Sequence, residues 1–276
     1  MSSKINLISK SIHQSSLLPD VISEIVAEHV GEFSHFKVTL VNSRLNELRN
    51  FCAYGQHIYL VFQNHIEKFD LDGNFIGQYN GMNISYVAIS GPLVYICEPE
   101  RRFINVINES CKYQPAIESI YPNRCFAYRN RLYVSNGFSR VTVFDTVSNQ
   151  ELFSFDTKHT SLQGMSFIGD TIYILSTLRE WGIKDQPKIQ MFDMNGILIH
   201  EECYSIEERV GSHYTYSMAT FEDKIIIIHA RSTKLFVFSP KLDFIKSVDI
   251  GIVIVDICSD EHHLYLLTDQ NKVLTF

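Results

Sequence analysis

Six stretches of the chain align without a gap over twelve positions, and no other feature narrows the fold as much. They are "FCAYGQHIYLVF" from Phe51, "YVAISGPLVYIC" from Tyr86, "CFAYRNRLYVSN" from Cys125, "MSFIGDTIYILS" from Met165, "MATFEDKIIIIH" from Met218 and "ICSDEHHLYLLT" from Ile257. Each gives a short apolar run, a polar turn and a second apolar run. The second run opens on Ile58, Leu93, Leu132, Ile172, Ile225 or Leu264, and a tyrosine follows in four copies, at Tyr59, Tyr133, Tyr173 and Tyr265. Two such runs around a turn containing Gly, Asn or Asp predict a β-hairpin.

A third alternating run follows each hairpin and places Phe69, Ile107, Phe144, Phe192, Phe238 and Phe276 at one equivalent position. Most copies then turn into a fourth run, such as "FIGQY" or "FIKSV". The unit is therefore four antiparallel strands, and the starts are spaced 35, 39, 40, 53 and 39 residues apart. One small sheet cannot bury both faces alone, whereas units stacked around an axis bury each other. The expected fold class is mainly β, a six-bladed β-propeller over residues 51–276 with a short N-terminal α-helical segment. "IEKFDLDG" and "IQMFDMNG" resemble the third strand and turn of NHL-type repeats. The one tryptophan is Trp181, so the Trp-Asp signature of WD-type repeats is absent. The sixth copy stops at Phe276 after its third strand. Either the N-terminal region supplies an outer strand there or the last blade keeps an open edge.

Charge disfavours some partners. The net charge is −7, and residues 51–276 carry the whole excess of acid. A general role on nucleic acid or an anionic membrane has no electrostatic support. No apolar run approaches the ~20 residues of a membrane span. "MSSKINLISKSIHQSS" lacks the apolar core of a signal peptide. The six cysteines form no CxxC and have no zinc-ligand spacing. They read as free thiols in a reducing compartment, the cytoplasm or the nucleus.

The motifs that suggest chemistry have plainer readings. "DLDGN" at 70–74 starts like a calcium loop but does not continue as one, and it falls on the turn between third and fourth strands. His262 and His263 share a hairpin turn and read as solvated. No nucleophile elbow, phosphate loop, dinucleotide loop or zinc-protease motif occurs. Glu98, Asn136 and Asp269 follow second strands at comparable positions, but Thr177 and Ala230 break the ring that a metal at a channel mouth requires. No catalytic residue, metal ligand or cofactor is expected. A hydrolase or lyase with a metal at the channel mouth is the weaker alternative.

The insertions point to a binding face. In a meander, second-to-third loops and blade-to-blade connections share one face. The fourth copy is long because of "TLREWGIKDQP" at 177–187 and "CYSIEERVGSHYTYS" at 203–217, both on that face. They carry Arg179, Trp181, Arg209, Tyr214 and Tyr216, and "CEPERRF" at 97–103 adds Glu98, Arg101 and Arg102. Trp, Tyr and Arg are frequent anchors of protein contacts, so these eight residues are the expected partner-binding set.

Residues 1–16 read as a flexible N-terminus. From Leu18, apolar residues recur at Val21, Ile22, Ile25, Val26 and Val30, which predicts a helix over 18–30, with Pro19 in its first turn. "LPDVISEIVAEHV" followed by "TLVNSRLNELRN" at 39–50 resembles an F-box, so that 17–50 reads as an F-box-like helical segment. The resemblance implies docking to the adaptor subunit of a cullin-type ubiquitin ligase through Leu18, Pro19, Ile22, Ile25 and Val26. The propeller would then capture a substrate protein. A competing reading takes "HFKVTLV" at 35–41, which alternates throughout, as the strand that closes the sixth blade; the protein is then a stand-alone propeller scaffold. An F-box needs those residues helical and a closing strand needs them extended.

Overall fold

A computed structural model of the chain describes residues 37–40, 48–108, 113–159, 161–178, 186–204, 216–229, 231–260 and 262–276. The helix expected over 18–30 lies outside these residues. Strand β1 (Lys37–Leu40) is followed by four meanders. The first comprises β2 (Leu48–Tyr54), β3 (His57–Phe62), β4 (His65–Asp70) and β5 (Phe75–Asn80). The second comprises β6 (Tyr86–Ser90), β7 (Leu93–Glu98), β8 (Phe103–Asn108) and β9 (Tyr113–Glu118). The third comprises β10 (Arg124–Tyr128), β11 (Arg131–Ser135), β12 (Arg140–Asp145) and β13 (Glu151–Asp156). The fourth comprises β14 (Ser161–Ile168), β15 (Thr171–Leu178), β16 (Gln186–Asp193) and β17 (Leu198–Cys203). The rest is β18 (Tyr216–Phe221), β19 (Lys224–His229), β20 (Ser232–Phe238), β21 (Phe244–Ser259), β22 (Leu264–Thr268) and β23 (Lys272–Thr275). The architecture is a β-propeller.

Hydrogen bonding unites the strands into five sheets, not the six separate ones expected: four of four strands, and one of seven in the order β1-β23-β22-β21-β20-β19-β18. The reason is β21, which runs through 16 residues. Its first part pairs with β20 and its last part with β22, so the fifth and sixth repeats share it. The linking stretch "DIGIVIVD" has no proline and is rich in β-branched residues, which favour extended backbone. Only Gly251, at φ 66°, bends it.

The edge left by the sixth repeat is covered. Strand β1 pairs antiparallel with β23 through Lys37↔Thr275, Val38↔Leu274, Thr39↔Val273 and Leu40↔Lys272. An extended 37–40 corrects the helical reading of this stretch within 17–50. The ladder supplies partners to an edge strand whose N–H and C=O groups would otherwise face solvent, and a helix over the same residues could not.

The register also corrects the second copy by one residue. There Ser90 pairs with Leu93 across the turn, as Tyr54 pairs with His57 in the first. Val87, not Tyr86, is therefore equivalent to Phe51, and Tyr95 joins the tyrosines at 59, 133, 173 and 265, all buried. Phe69, Phe144, Phe192 and Phe238 pair with Ile58, Leu132, Ile172 and Ile225. Burying one such phenylalanine contributes about 2–3 kcal/mol. Cores form between neighbouring repeats: Ile58, Leu60 and Phe69 of the first pack against Tyr265, Leu267 and Val273 of the last, which joins the two ends of the ring.

The turns after the third strands use one device. Asp70 Oδ1 accepts the N–H groups of Asp72 and Asn74 at 2.8 Å, and Asp193 Oδ1 accepts those of Asn195 and Ile197 at 2.9 and 2.8 Å. Asp145 and the Ser239 hydroxyl do the same in their copies. "DLDGN" is thus an Asx-type turn. No helix among the described residues is long and apolar enough to cross a membrane.

Candidate functional site

The first strands of the repeats, with the last part of β21, surround a central cavity of about 890 Å³. The hairpin turns between first and second strands mark its lower end. The second-to-third loops and the connections between repeats mark the upper end, the face expected to bind partners.

The structure sorts the predicted contact residues. Arg179, Trp181, Arg209 and Tyr214 lie outside the described residues, as do Leu18, Pro19, Ile22, Ile25 and Val26. Arg101 and Arg102 are exposed as expected. Glu98 is not: it is 0% exposed. Its Oε1 accepts the Met82 N–H at 3.0 Å, its Oε2 accepts Asn105 Nδ2 at 2.9 Å, and Arg101 Nη1 stands 3.3 Å away. It pins the connection between the first two repeats. A Cβ on Gly81 would lie 2.7 Å from Glu98 Oε1, so that approach requires glycine. Tyr216 is also buried, edge-on to His229 and packed with Met218 and Ile225, because it begins an inner strand rather than ending a loop.

Around Arg101 and Arg102 the structure exposes apolar side chains on neighbouring loops that the sequence did not single out. Met82, Ile120, Tyr121 and Phe138 are 56%, 72%, 47% and 63% exposed. Arg101 contacts the Met82 sulfur, and Arg102 donates to the Tyr121 hydroxyl at 3.0 Å with its guanidinium 5.0 Å from that ring. Asn123, two residues on, packs beside Gly137, next to Phe138. Arg102 itself sits at φ 58°, held where its N–H reaches the Pro99 carbonyl. The loops were visible in the sequence as interruptions of the repeat; their adjacency across repeats was not.

The upper end of the cavity is a polar layer one residue before the apolar run of five inner strands, Asn50, Tyr86, Arg124, Ser217 and Asp256, with Gly164 at that position in the fourth repeat. Arg124 donates to the Gln163 carbonyl and lies 5.3 Å from the Tyr86 ring centre. Asp256 accepts the Phe51 N–H at 3.1 Å and the Ile257 N–H at 2.9 Å. Burial pushes its carboxyl above the ordinary range, although bonds from Ser217 and these amides and the charge of Arg124 work against that. Asn50 Oδ1 accepts the Val87 N–H at 3.3 Å. Of this layer only Tyr86 lines the cavity.

Two layers further down, the wall is narrow in side-chain volume: Cys52, Ala88, Ser166, Ala219 and Cys258, with Phe126 the exception. Burial holds the thiols of Cys52 and Cys258 far up, so they are neutral. Below them stand Tyr54, Tyr128, Ile168 and Phe221, and then the turns. No three His, Cys, Asp or Glu side chains among the described residues could hold a metal ion together.

No family model matches the sequence, and no curated protein matches it. Solved structures do match the fold. Hydrazine synthase of Kuenenia stuttgartiensis superposes with a TM-score of 0.60 at 12% identity, covering 86% of this chain and 97% of that one. The WD40 domain of Neurospora crassa Pan2 gives 0.57 at 9% identity, covering 83% and 74%. BamB from Moraxella catarrhalis gives 0.51 at 13% identity, covering 82% and 68%. At such identities the likeness is one of fold.

Proposed function

We propose that the chain is a six-bladed propeller, its fifth and sixth blades joined through β21, that works as a protein-interaction scaffold without catalysis. The observation that carries this is the upper-face patch of Met82, Ile120, Tyr121 and Phe138 with Arg101 and Arg102. Exposed apolar side chains rimmed by arginine are costly to leave in water and favour a protein partner. The free thiols at Cys52, Cys97, Cys125, Cys203 and Cys258 fit a reducing compartment, in keeping with a cytoplasmic or nuclear setting. The F-box-like reading is left with 18–30 alone, since β1 takes residues that motif needs as helix.

A photo-crosslinker placed at Tyr121 or Phe138, with Leu152 on an outer strand as the control position, tests the patch. We expect a specific protein adduct at the first two positions that Arg102→Glu reduces about tenfold, as loss of an interface anchor does. Adducts that form equally at Leu152, or that ignore Arg102→Glu, remove the proposal.

A further inference from the structure

The central cavity is a separate feature from the upper-face patch, and it opens at the other end. Its volume of about 890 Å³ is that of a small-ligand site rather than a packing defect, since such sites span roughly 300–1,000 Å³. It exists because Cys52, Ala88, Ser166, Ala219 and Cys258 are small at one level of five inner strands. The body of the wall is neutral. At its waist Ser166 donates to Thr220 at 2.8 Å and Thr220 to the Phe167 carbonyl at 3.1 Å.

Charge is confined to the lower mouth, and its sign is negative. Among the described residues of the lining, Arg129 is the one Lys or Arg, beside the turn histidines His262 and His263, and it is tied to Asp170 with its guanidinium 5.1 Å from the Tyr128 ring centre. Asp260 is occupied by the His262 and His263 amides and the Tyr265 hydroxyl. Glu222 and Asp223 make no ion pair among the described residues, and they sit at φ 46° and 56°. The position of Glu222 holds Gly55, Gly91 and Gly169 at φ 59°, 54° and 56° in the first, second and fourth repeats and Arg129 at φ 46° in the third. A side chain in this conformation is strained where glycine is not. The fifth repeat thus keeps the Glu222 carboxylate at the mouth where most other repeats use glycine. Beside them, Tyr54, Tyr128 and Phe221 line the same end of the cavity, Tyr128 with Phe167 stacked on its ring and the Arg129 guanidinium over it.

We propose that this cavity binds a small organic cation, a quaternary or protonated amine on an apolar body. The ammonium group would lie at the mouth against Glu222 and Asp223, where carboxylates favour positive charge, with the Tyr54 and Phe221 rings in the same lining. The apolar body would fill the neutral chamber up to Tyr86. An anion of the same size meets Glu222 and Asp223, and the described lining offers it only the paired Arg129 and the turn histidines His262 and His263.

Titration calorimetry on the full chain tests this with three probes of similar size: benzyltrimethylammonium, benzyl alcohol and phenylacetate. The ammonium should bind saturably, about tenfold or more tighter than the alcohol, as a desolvated cation–π contact implies, and phenylacetate should not bind. Glu222→Gln with Asp223→Asn should weaken the ammonium about tenfold and leave the apo melting temperature in place. Ala88→Leu should abolish binding by filling the waist. Should that variant fail to fold, the turn variant still decides the matter. Phenylacetate binding as well as the ammonium, or ammonium affinity indifferent to Glu222 and Asp223, would overturn the proposal.

Discussion

The same six inner strands reach both ends of the channel, yet they finish it in opposite ways. At the upper end, Arg124, Asp256 and Asn50 hydrogen-bond across repeats and Arg124 lies against the Tyr86 ring, so polar groups tie neighbouring repeats together. At the lower end, Tyr54, Tyr128 and Phe221 stand around an opening, and the charged groups sit on turns in solvent. The repeat sets where each layer falls. Which side chain occupies a layer then decides whether that layer holds the ring together or leaves room for something else. A residue of the upper end should therefore matter to stability, and one at the lower mouth should matter less to stability than to binding.

The largest expected effect breaks the upper layer. Arg124→Met removes the donor to the Gln163 carbonyl, the partner of the Tyr86 ring and the charge that offsets Asp256. Arg124 and Asp256 are half-buried, and removing one leaves the other uncompensated, so unfolding in urea should show a loss of about 3 kcal/mol, the low end for a buried pair. Adding Asp256→Asn should recover part of it. A pH series separates the two groups. The folded-state pKa of Asp256 is raised above its unfolded value, so the ionised carboxylate opposes folding at neutral pH. That cost fades as pH falls through the folded value toward the unfolded one, about 3.9. Asp256→Asn should thus gain on wild type at neutral pH and lose that advantage on acidification. Parallel pH curves for the two proteins would show that the carboxyl is not buried in an opposing field.

A smaller effect is expected at the rim. Tyr128 stacks on Phe167 with ring centres 4.5 Å apart and donates to the Gly169 carbonyl at 3.0 Å, bridging the third and fourth repeats. Because it is half-buried, Tyr128→Ala should cost about 2 kcal/mol, less than Arg124→Met, and chemical denaturation of both variants in parallel ranks them. A reversed ranking would mean that the seam between these repeats, not the polar layer, holds the ring.

Much of this contrast was written in the sequence, and what was not has a physical reason. Alternation made all six hairpins legible because each repeat buries its own strands against the next. The second copy was read one residue early because Tyr86 looks like the start of an apolar run; it belongs instead to the polar layer, where its ring meets Arg124. That layer could not be seen in any one repeat, since Arg124 and Asp256 come from the third and sixth. Glu98 looked like a loop carboxylate, and only the folded connection brings the Met82 N–H over it. The choice for 35–41 turned on β23, whose free edge gives an extended segment something to pair with. Helical spacing upstream carries no information about that edge.

The least costly change sharpens the comparison most, because it separates stability from binding at a single residue. Glu222→Gly places glycine at a positive φ that Gly55, Gly91 and Gly169 already adopt in other repeats. Relief of the left-handed strain, set against the greater freedom of glycine in the unfolded chain, should leave the variant more stable by roughly 0.5 kcal/mol. If the lower mouth is built for a ligand, the same variant should hold benzyltrimethylammonium several-fold more weakly while melting higher. A turn whose only task is to join two strands would gain stability and lose nothing, so opposite signs in the two measurements on one protein are what a functional mouth requires.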